Sequence, residues 1–287
     1  MQLKTAINLS RALAAIFVIV AVTVAGIMAI SLSTPSGTPT EVPYVGMTLV
    51  YWYNKTTDIG GSLIKDASHI VINYLSKTPE GLFRVDAHEE LFTFDLLVNA
   101  TTRQYAKGAE NGSYVGHLVP LGLQVGDVVM IYSRRNFTCI STDYAFQLQG
   151  VTLRASELVY HESWSKPEAD YNQTIYRYFD SANGIMLMED DKDLTHNVGY
   201  GKITHDFETT IVDDGTDNDK DGVTDFRELF MIRTDPLKPD TDRDLWVDTL
   251  DPWPNDILLP NGLVLGFLIF ATMSAFYISW RLTKKRM

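Results

Sequence analysis

Between residues 213 and 256, aspartates recur with a spacing that few folds can use. Asp217, Asp219 and Asp221 alternate, Gly222 follows, and Asp225 and Glu228 come after it. Counted from Asp217, carboxylates stand at positions 1, 3, 5, 9 and 12 of a twelve-residue loop, with glycine at position 6. Alternate residues of a tight loop point inward together. Glycine reaches the left-handed backbone angles that close such a turn. Carboxylates gathered this way repel one another unless a cation joins them. The spacing is that of a calcium loop, in which about six to eight oxygens surround the ion at ~2.3–2.6 Å. The Val223 carbonyl and both oxygens of Glu228 would complete that shell.

A second copy places Asp240, Asp242, Asp244, Asp248 and Asp251 at the same five positions, with Trp246 supplying the backbone carbonyl. It departs twice. Leu245 stands where the glycine should be, so a left-handed turn there carries strain. Asp251 is shorter than glutamate and closes the shell less readily. The competing reading is a solvated acidic linker, and 14 acidic against 5 basic residues, a net charge of −9, would suit one. A linker has no reason to repeat the same five offsets.

These residues carry a resemblance. Asp217-Asn-Asp-Lys-Asp-Gly-Val-Thr-Asp-Phe-Arg-Glu228, followed by Thr234-Asp235-Pro236 and by Pro239-Asp240-Thr241-Asp242, resembles a pair of thrombospondin type 3 calcium repeats of the kind found in archaeal and bacterial surface proteins. The resemblance covers about 44 of the 287 residues. It implies two bound Ca²⁺ and an extracytoplasmic setting. An EF-hand would need a helix entering the loop. Here the entry, Phe207-Glu-Thr-Thr-Ile-Val212, is β-branched and reads as strand. The exit, residues 226–232, has helical character.

The ends of the chain predict membrane attachment. Residues 12–32 are 21 residues without a charge, following Lys4 and Arg11. About twenty apolar residues in a helix cover the ~30 Å hydrocarbon core. The alternative, a cleaved signal peptide, usually has an apolar stretch of about 7–15 residues. A second apolar run spans 257–280, has Tyr277 and Trp280 near its end, and is followed by the basic tail 281–287. Basic flanks favour the cytoplasm, so residues 1–11 and 281–287 are expected inside and everything between the spans outside. Removing the six flanking basic residues from the net charge of −12 leaves −18, which excludes nucleic acid as a partner.

Residues 33–43 form a Ser/Thr/Pro-rich linker. From 44 to 212 the pattern is strand-like: residues 48–53, 69–75, 91–98, 127–132, 145–153 and 173–179 are β-branched, aromatic and partly alternating. Asn183-Gly184 marks a hairpin before Ile185-Met-Leu-Met. A short helix fits within 60–68. The expected fold class is mainly β: an antiparallel, curved or barrel-like sheet, a small calcium-loop module, and two flanking transmembrane helices.

Five sequons, at Asn54, Asn99, Asn111, Asn136 and Asn172, suit a glycosylated exterior. Cys139 is the only cysteine, so no internal disulfide forms. No zinc, nucleophile-elbow or phosphate-loop motif occurs, and no catalytic residue is expected. The reading is a membrane-anchored cell-surface protein whose calcium-stabilised repeats present a β-domain for binding or structural roles. Its partners are the membrane, calcium, and other envelope proteins or glycans. The alternative is a lipid or ligand carrier, or an envelope enzyme, built on the β-domain.

Overall fold

The structure, a computed structural model, describes residues 41–285 apart from 90, 91, 198, 200 and 258–260. Ten strands form one antiparallel sheet: β1 (Thr48–Ile59), β2 (Ser62–Lys77), β3 (Leu82–Glu89), β4 (Phe92–Asn99), β5 (Val128–Ile131), β6 (Arg135–Leu148), β7 (Val151–Lys166), β8 (Ala169–Asp180), β9 (Met186–Asn197) and β10 (Gly201–Val212). Their order in space is β4-β3-β2-β1-β10-β9-β8-β7-β6-β5. The chain enters at the centre, works outward to β4, crosses to the opposite edge at β5, and returns to pair β10 with β1.

Two turns explain the tight hairpins. Gly60 and Gly61 have φ of 58° and 93°, and Gln149 and Gly150 have 48° and 86°. Two consecutive positive angles make the turn whose twist matches that of the strands. Gly60 therefore opens a hairpin into β2, not the short helix expected over 60–68. The run 145–153, expected as one strand, is split by the second turn into β6 and β7. The sequence reading also passed over β3, although Phe83, Val85 and Ala87 alternate with Arg84, Asp86 and His88 in it.

The crossing segment shapes the sheet. Ten flat strands would hold the outer edges ~43 Å apart at ~4.8 Å per spacing. Yet residues 100–127 join β4 to β5 by short bridges: Val98 to Tyr105, Gln104 to Tyr114, and Tyr114 to Ile131. The Tyr114 N–H donates to Met130 O at 2.8 Å, and Tyr132 N–H to Tyr114 O at 3.1 Å. The sheet must curl for three such steps to span its edges. It is not closed, because β4 and β5 do not pair. Of the expected mainly β, antiparallel, curved or barrel-like sheet, the structure shows the mainly β, antiparallel part, in a sheet that is not closed.

The core fills the inside of that curl. Tyr51, Tyr74, Phe83, Phe137, Leu158, Ile175 and Phe179 come from the strands, and Val115 and Leu118 come from the crossing segment. Arg103 is buried there and anchors three backbone turns. Its guanidinium donates to Val119 O at 2.9 Å, Asn183 O at 2.7 Å and Val42 O at 2.9 Å. Cys139 is buried, as a small apolar residue would be.

Contacts divide the chain into two units: a sheet unit, Thr40–Asn218 with Thr224–Met231, and a second that includes Asp219–Val223 and the chain from Ile232 onward. The helical turn at Asp225–Arg227 and the π-helical turn at Glu228–Ile232 give Phe226, Leu229 and Phe230 to the sheet unit's core.

A helix spans Asn261–Lys285. Phe267, Phe270, Met273 and Trp280 on it are exposed. Among the described residues no helix is long and apolar enough to cross a membrane. The two flanking transmembrane helices are thus without structural support. The first expected span, 12–32, lies outside the described residues.

Two measurements check this packing. Gly184 has φ of 73°, and a Cβ there would stand against the Arg103 guanidinium and 2.6 Å from Val119 O. Gly184→Ala should lower unfolding free energy by at least ~2 kcal/mol in urea titration. His117 is buried, its Nε2 lies 2.7 Å from Tyr74 Oη, and burial, then the Arg177 charge, pushes its pKa down to about 3. Its folded value lies below its unfolded one, so its contribution is present above pH ~6.5 and is lost as pH falls. His117→Gln should flatten the acid limb of stability between about pH 6 and 4, where one proton contributes up to ~1.4 kcal/mol per pH unit.

Candidate metal centre

The two aspartate loops fold alike, residue for residue. At position 4, Lys220 and Arg243 have φ of 66° and 65°; at position 6, Gly222 and Leu245 have 98° and 84°. The N–H at position 5 donates to the position 3 carboxylate, Asp221 to Asp219 Oδ1 and Asp244 to Asp242 Oδ1, each at 3.1 Å. The N–H at position 7 donates to position 5, Val223 to Asp221 Oδ1 at 2.7 Å and Trp246 to Asp244 Oδ1 at 2.8 Å. The N–H at position 9 donates back to the residue before the loop, Asp225 to Thr216 O at 2.8 Å and Asp248 to Pro239 O at 2.9 Å. Leu245 takes the left-handed angle despite its side chain, which is 87% exposed and so clashes with nothing beyond its own backbone.

Each loop draws its first three aspartates together. Asp217, Asp219 and Asp221 each offer a carboxylate oxygen within 4.8 Å of the others, and so do Asp240, Asp242 and Asp244. Glu228, at position 12 of the first loop, is fully buried, and Asp251, at position 12 of the second, is 7% exposed.

Position 9 behaves differently. Asp248 Oδ1 accepts from the Thr241 N–H at 2.9 Å, and Oδ2 from Thr241 Oγ1 at 2.7 Å. Asp225 Oδ1 accepts from the Asn218 N–H at 2.9 Å, and Oδ2 from Tyr44 Oη at 2.9 Å and from the Asn218 side-chain amide. Both carboxylates are engaged in bracing the loop, which leaves them less room for direct coordination. The partners at position 2, Asn218 and Thr241, were not singled out by the sequence reading. The signal was present: a side-chain donor occupies position 2 in both copies. The buried Thr234-Asp235-Pro236 stretch braces the second loop further, with Asp235 N–H donating to Thr241 Oγ1 at 2.8 Å and Lys238 paired with the Asp235 carboxylate.

The electrostatics of the second loop are unfavourable without a cation. Asp242, Asp244 and Asp248 are 2%, 1% and 4% exposed. Burial, then the charge of Asp244, pushes Asp242 up to about 7. Burial and then Asp251 and Asp240 push Asp244 up to about 6, against a hydrogen bond from Trp246. Asp248 and Asp251 are also raised, burial first. In three carboxylates one oxygen takes a backbone N–H while the other is buried without a hydrogen bond among the described residues: Asp221 Oδ2, Asp242 Oδ2 and Asp251 Oδ2. A buried carboxylate oxygen with no donor costs several kcal/mol unless another positive group faces it. This donor set, all hard oxygen and closely grouped, fits a hard divalent cation.

The other predicted residues are placed as follows. Asn54, Asn111, Asn136 and Asn172 are exposed, and Asn99 is half-buried, its Oδ1 accepting from Thr101 and Thr102 N–H at 2.9 Å each. Val223 is buried and Trp246 is 39% exposed.

No family model matches the chain, and no curated protein matches it. Among solved structures, a DUF1329 family protein from Desulfovibrio piger is similar over 61% of this chain and 89% of that chain, with 7% sequence identity and a TM-score of 0.18. A likeness of that size carries no argument about fold or activity.

The strained sixth position provides a test. A non-glycine residue in the left-handed region costs ~1–2 kcal/mol, and glycine's extra chain entropy costs ~0.5–1 kcal/mol. Leu245→Gly should therefore stabilise the second unit by about 0.5–1 kcal/mol. Denaturant unfolding of the variant reads this directly.

Proposed function

We propose that this chain is a membrane-attached cell-surface protein in which a pair of calcium repeats of the thrombospondin type 3 kind organises the segment between a binding β-domain and the C-terminal helix. The observation that carries the calcium reading is the pair of oxygens Asp242 Oδ2 and Asp251 Oδ2. Both are buried without a hydrogen bond, on residues at least nine-tenths buried, in a loop whose backbone repeats that of the first. An acidic linker would keep its carboxylates in water. Calcium at the concentration found outside cells suits modules with dissociation constants of ~10⁻⁴–10⁻³ M.

Membrane attachment is supported by the surface of the helix Asn261–Lys285. Phe267 and Phe270 are 72% and 70% exposed, which is costly in water. Thr272 Oγ1 donates to the carbonyls of Leu268 and Ile269 at 2.9 Å each, so its hydroxyl needs no water. Arg281 lies over Tyr277 and Lys284 over Trp280, an arrangement that suits a lipid–water boundary. Exposure of four of the five sequon asparagines supports a glycosylated exterior.

The β-domain is the part left for a partner. The acyl-carrier alternative is weakened by the inner sheet face, whose less buried half carries Lys55, Glu189, Asp193 and His205. An acyl chain laid there would strip water from charged groups and return nothing.

Calorimetry on the chelated full chain should show about two Ca²⁺ per chain. About 3 mM Ca²⁺ over ~0.1 mM sites should add about 2 kcal/mol of stability per site. Asp244→Asn should remove one site and leave the other, and Asp221→Asn should do the converse. Absence of heat and of any thermal shift at several millimolar Ca²⁺ would show the segment to be an acidic linker.

A further inference from the structure

Side chains of directly paired residues share a sheet face. Three neighbouring rows on the face that carries Tyr51 and Ile175 can be followed across the strands. One runs Ser68, Tyr53, Thr209, Glu189, Arg177. The next runs Lys55, Phe207, Asp191, Ile175, and the third Thr57, His205, Asp193, Gln173. Outside the aspartate loops, the buried polar atoms without a hydrogen bond among the described residues are Ser68 Oγ, Gln173 Oε1, Arg177 Nη1 and Asp193 Oδ1. All four lie on this one face. Ser68 is 3% exposed and Gln173 4%. Buried polar atoms are nearly always paired, so four orphans on one face point to something that pairs them.

The groups around them define what that is. Gln173 Nε2 is spent on Asp191, donating to Oδ1 and Oδ2 at 2.9 Å each, so the amide is held with Oε1 the only atom left to bond. Asp193, directly opposite Gln173 on β9, also presents an acceptor. Arg177 Nη1 is a donor and needs an acceptor; Ser68 Oγ takes either role. Each carboxylate of these rows has a cation acting on it: Arg177 pairs with Glu189 and lies 4.8 Å over the Phe137 ring, while the Arg135 charge opposes the burial cost of Asp191 and the Lys55 charge that of Asp193. A ligand for this face must therefore donate and accept at several points and carry no net charge. Successive hydroxyl groups do that. Trp164 and Tyr171 stack at 5.3 Å, 23° from coplanar, next along the strand from Gln173, with Trp164 39% exposed. Such a platform suits the apolar face of a sugar ring. From Tyr171 to Arg177 the strip is ~20 Å long at ~3.3 Å per residue.

We propose that the inner face of the sheet, between the Trp164–Tyr171 pair and Arg177, is a binding site for a short neutral oligosaccharide. Gln173 and Asp193 accept from its hydroxyls, Arg177 donates to them, and Trp164 stacks on a ring at the open end. This rests on the proposed binding role of the β-domain and requires neither calcium nor a membrane.

The test is titration calorimetry on the full chain in a sugar-free detergent, with maltotetraose, cellotetraose and chitotetraose, at saturating Ca²⁺ and again after chelation. At least one tetrasaccharide should bind one per chain with a Kd of about 1 mM or tighter. Gln173→Leu, which keeps the side-chain volume, should weaken binding at least tenfold, a change of ~1.4 kcal/mol. Trp164→Ala, on a partly exposed side chain, should weaken it with the thermal midpoint unchanged; it serves as the second variant if Gln173→Leu unfolds. No binding of any tetrasaccharide at about 10 mM overturns the proposal, as does binding that survives both substitutions. Binding of spermidine but of no sugar would also overturn it, in favour of an organic cation. Sugar binding without Ca²⁺ binding, or the reverse, separates this proposal from the calcium reading.

Discussion

Asp225, Glu228, Asp235, Asp242, Asp244, Asp248 and Asp251 are all buried within one short stretch of chain, and the folding of that stretch depends on offsetting their charge. Three means of doing so can be traced. Asp235 takes a lysine, and Asp225 and Asp248 take hydrogen bonds from the residue at position 2 of their own loop. In Asp242, Asp244 and Asp251 one oxygen is held by a backbone N–H. Desolvation raises the cost of each of these carboxylates, and proximity raises it again. A divalent cation would remove both terms at once, and the calcium proposal rests on that.

The same economy governs the β-domain. A sheet whose first and last strands pair at its centre leaves two bare edges far apart. The crossing segment brings them near each other with a few backbone bridges and fills the space it encloses with Val115 and Leu118. Arg103 ties that segment to the turns around it through three carbonyls, so a buried cation serves as a backbone clamp there. Tyr44 and Asn218 then link the start and end of the sheet unit through the Asp225 carboxylate. Asn218 and Asp225 are thus also part of how the sheet unit is held together, and the turn that follows contributes Phe226 and Phe230 to the core.

The inner face combines two demands. One part is apolar and buried, and another holds Gln173, Asp193 and Arg177 with their hydrogen bonding incomplete. Incomplete polar networks inside a protein are expensive, and each unsatisfied group calls for an explanation. The proposed saccharide would do so without disturbing the ion pairs and cation–ring contacts already made.

The sequence alone determined the elements whose cause is local. Carboxylate spacing set out both loops, the glycine at position 6 and its absence at Leu245 set their relative strain, and alternation marked most of the strands. Local chemistry suffices there because each loop carboxylate, turn and strand face is placed by neighbours a few residues away. Only the tertiary structure decided the rest: that β1 pairs with β10, that residues 100–127 bridge the edges, and that Gln173 meets Asp193 across strands. It also decided that Asp225 and Asp248 brace their loops and that Phe226 belongs to the sheet's core. These depend on pairing between residues far apart in the chain. No local pattern encodes such pairing, because a strand's alternation names its inner face but not its neighbour.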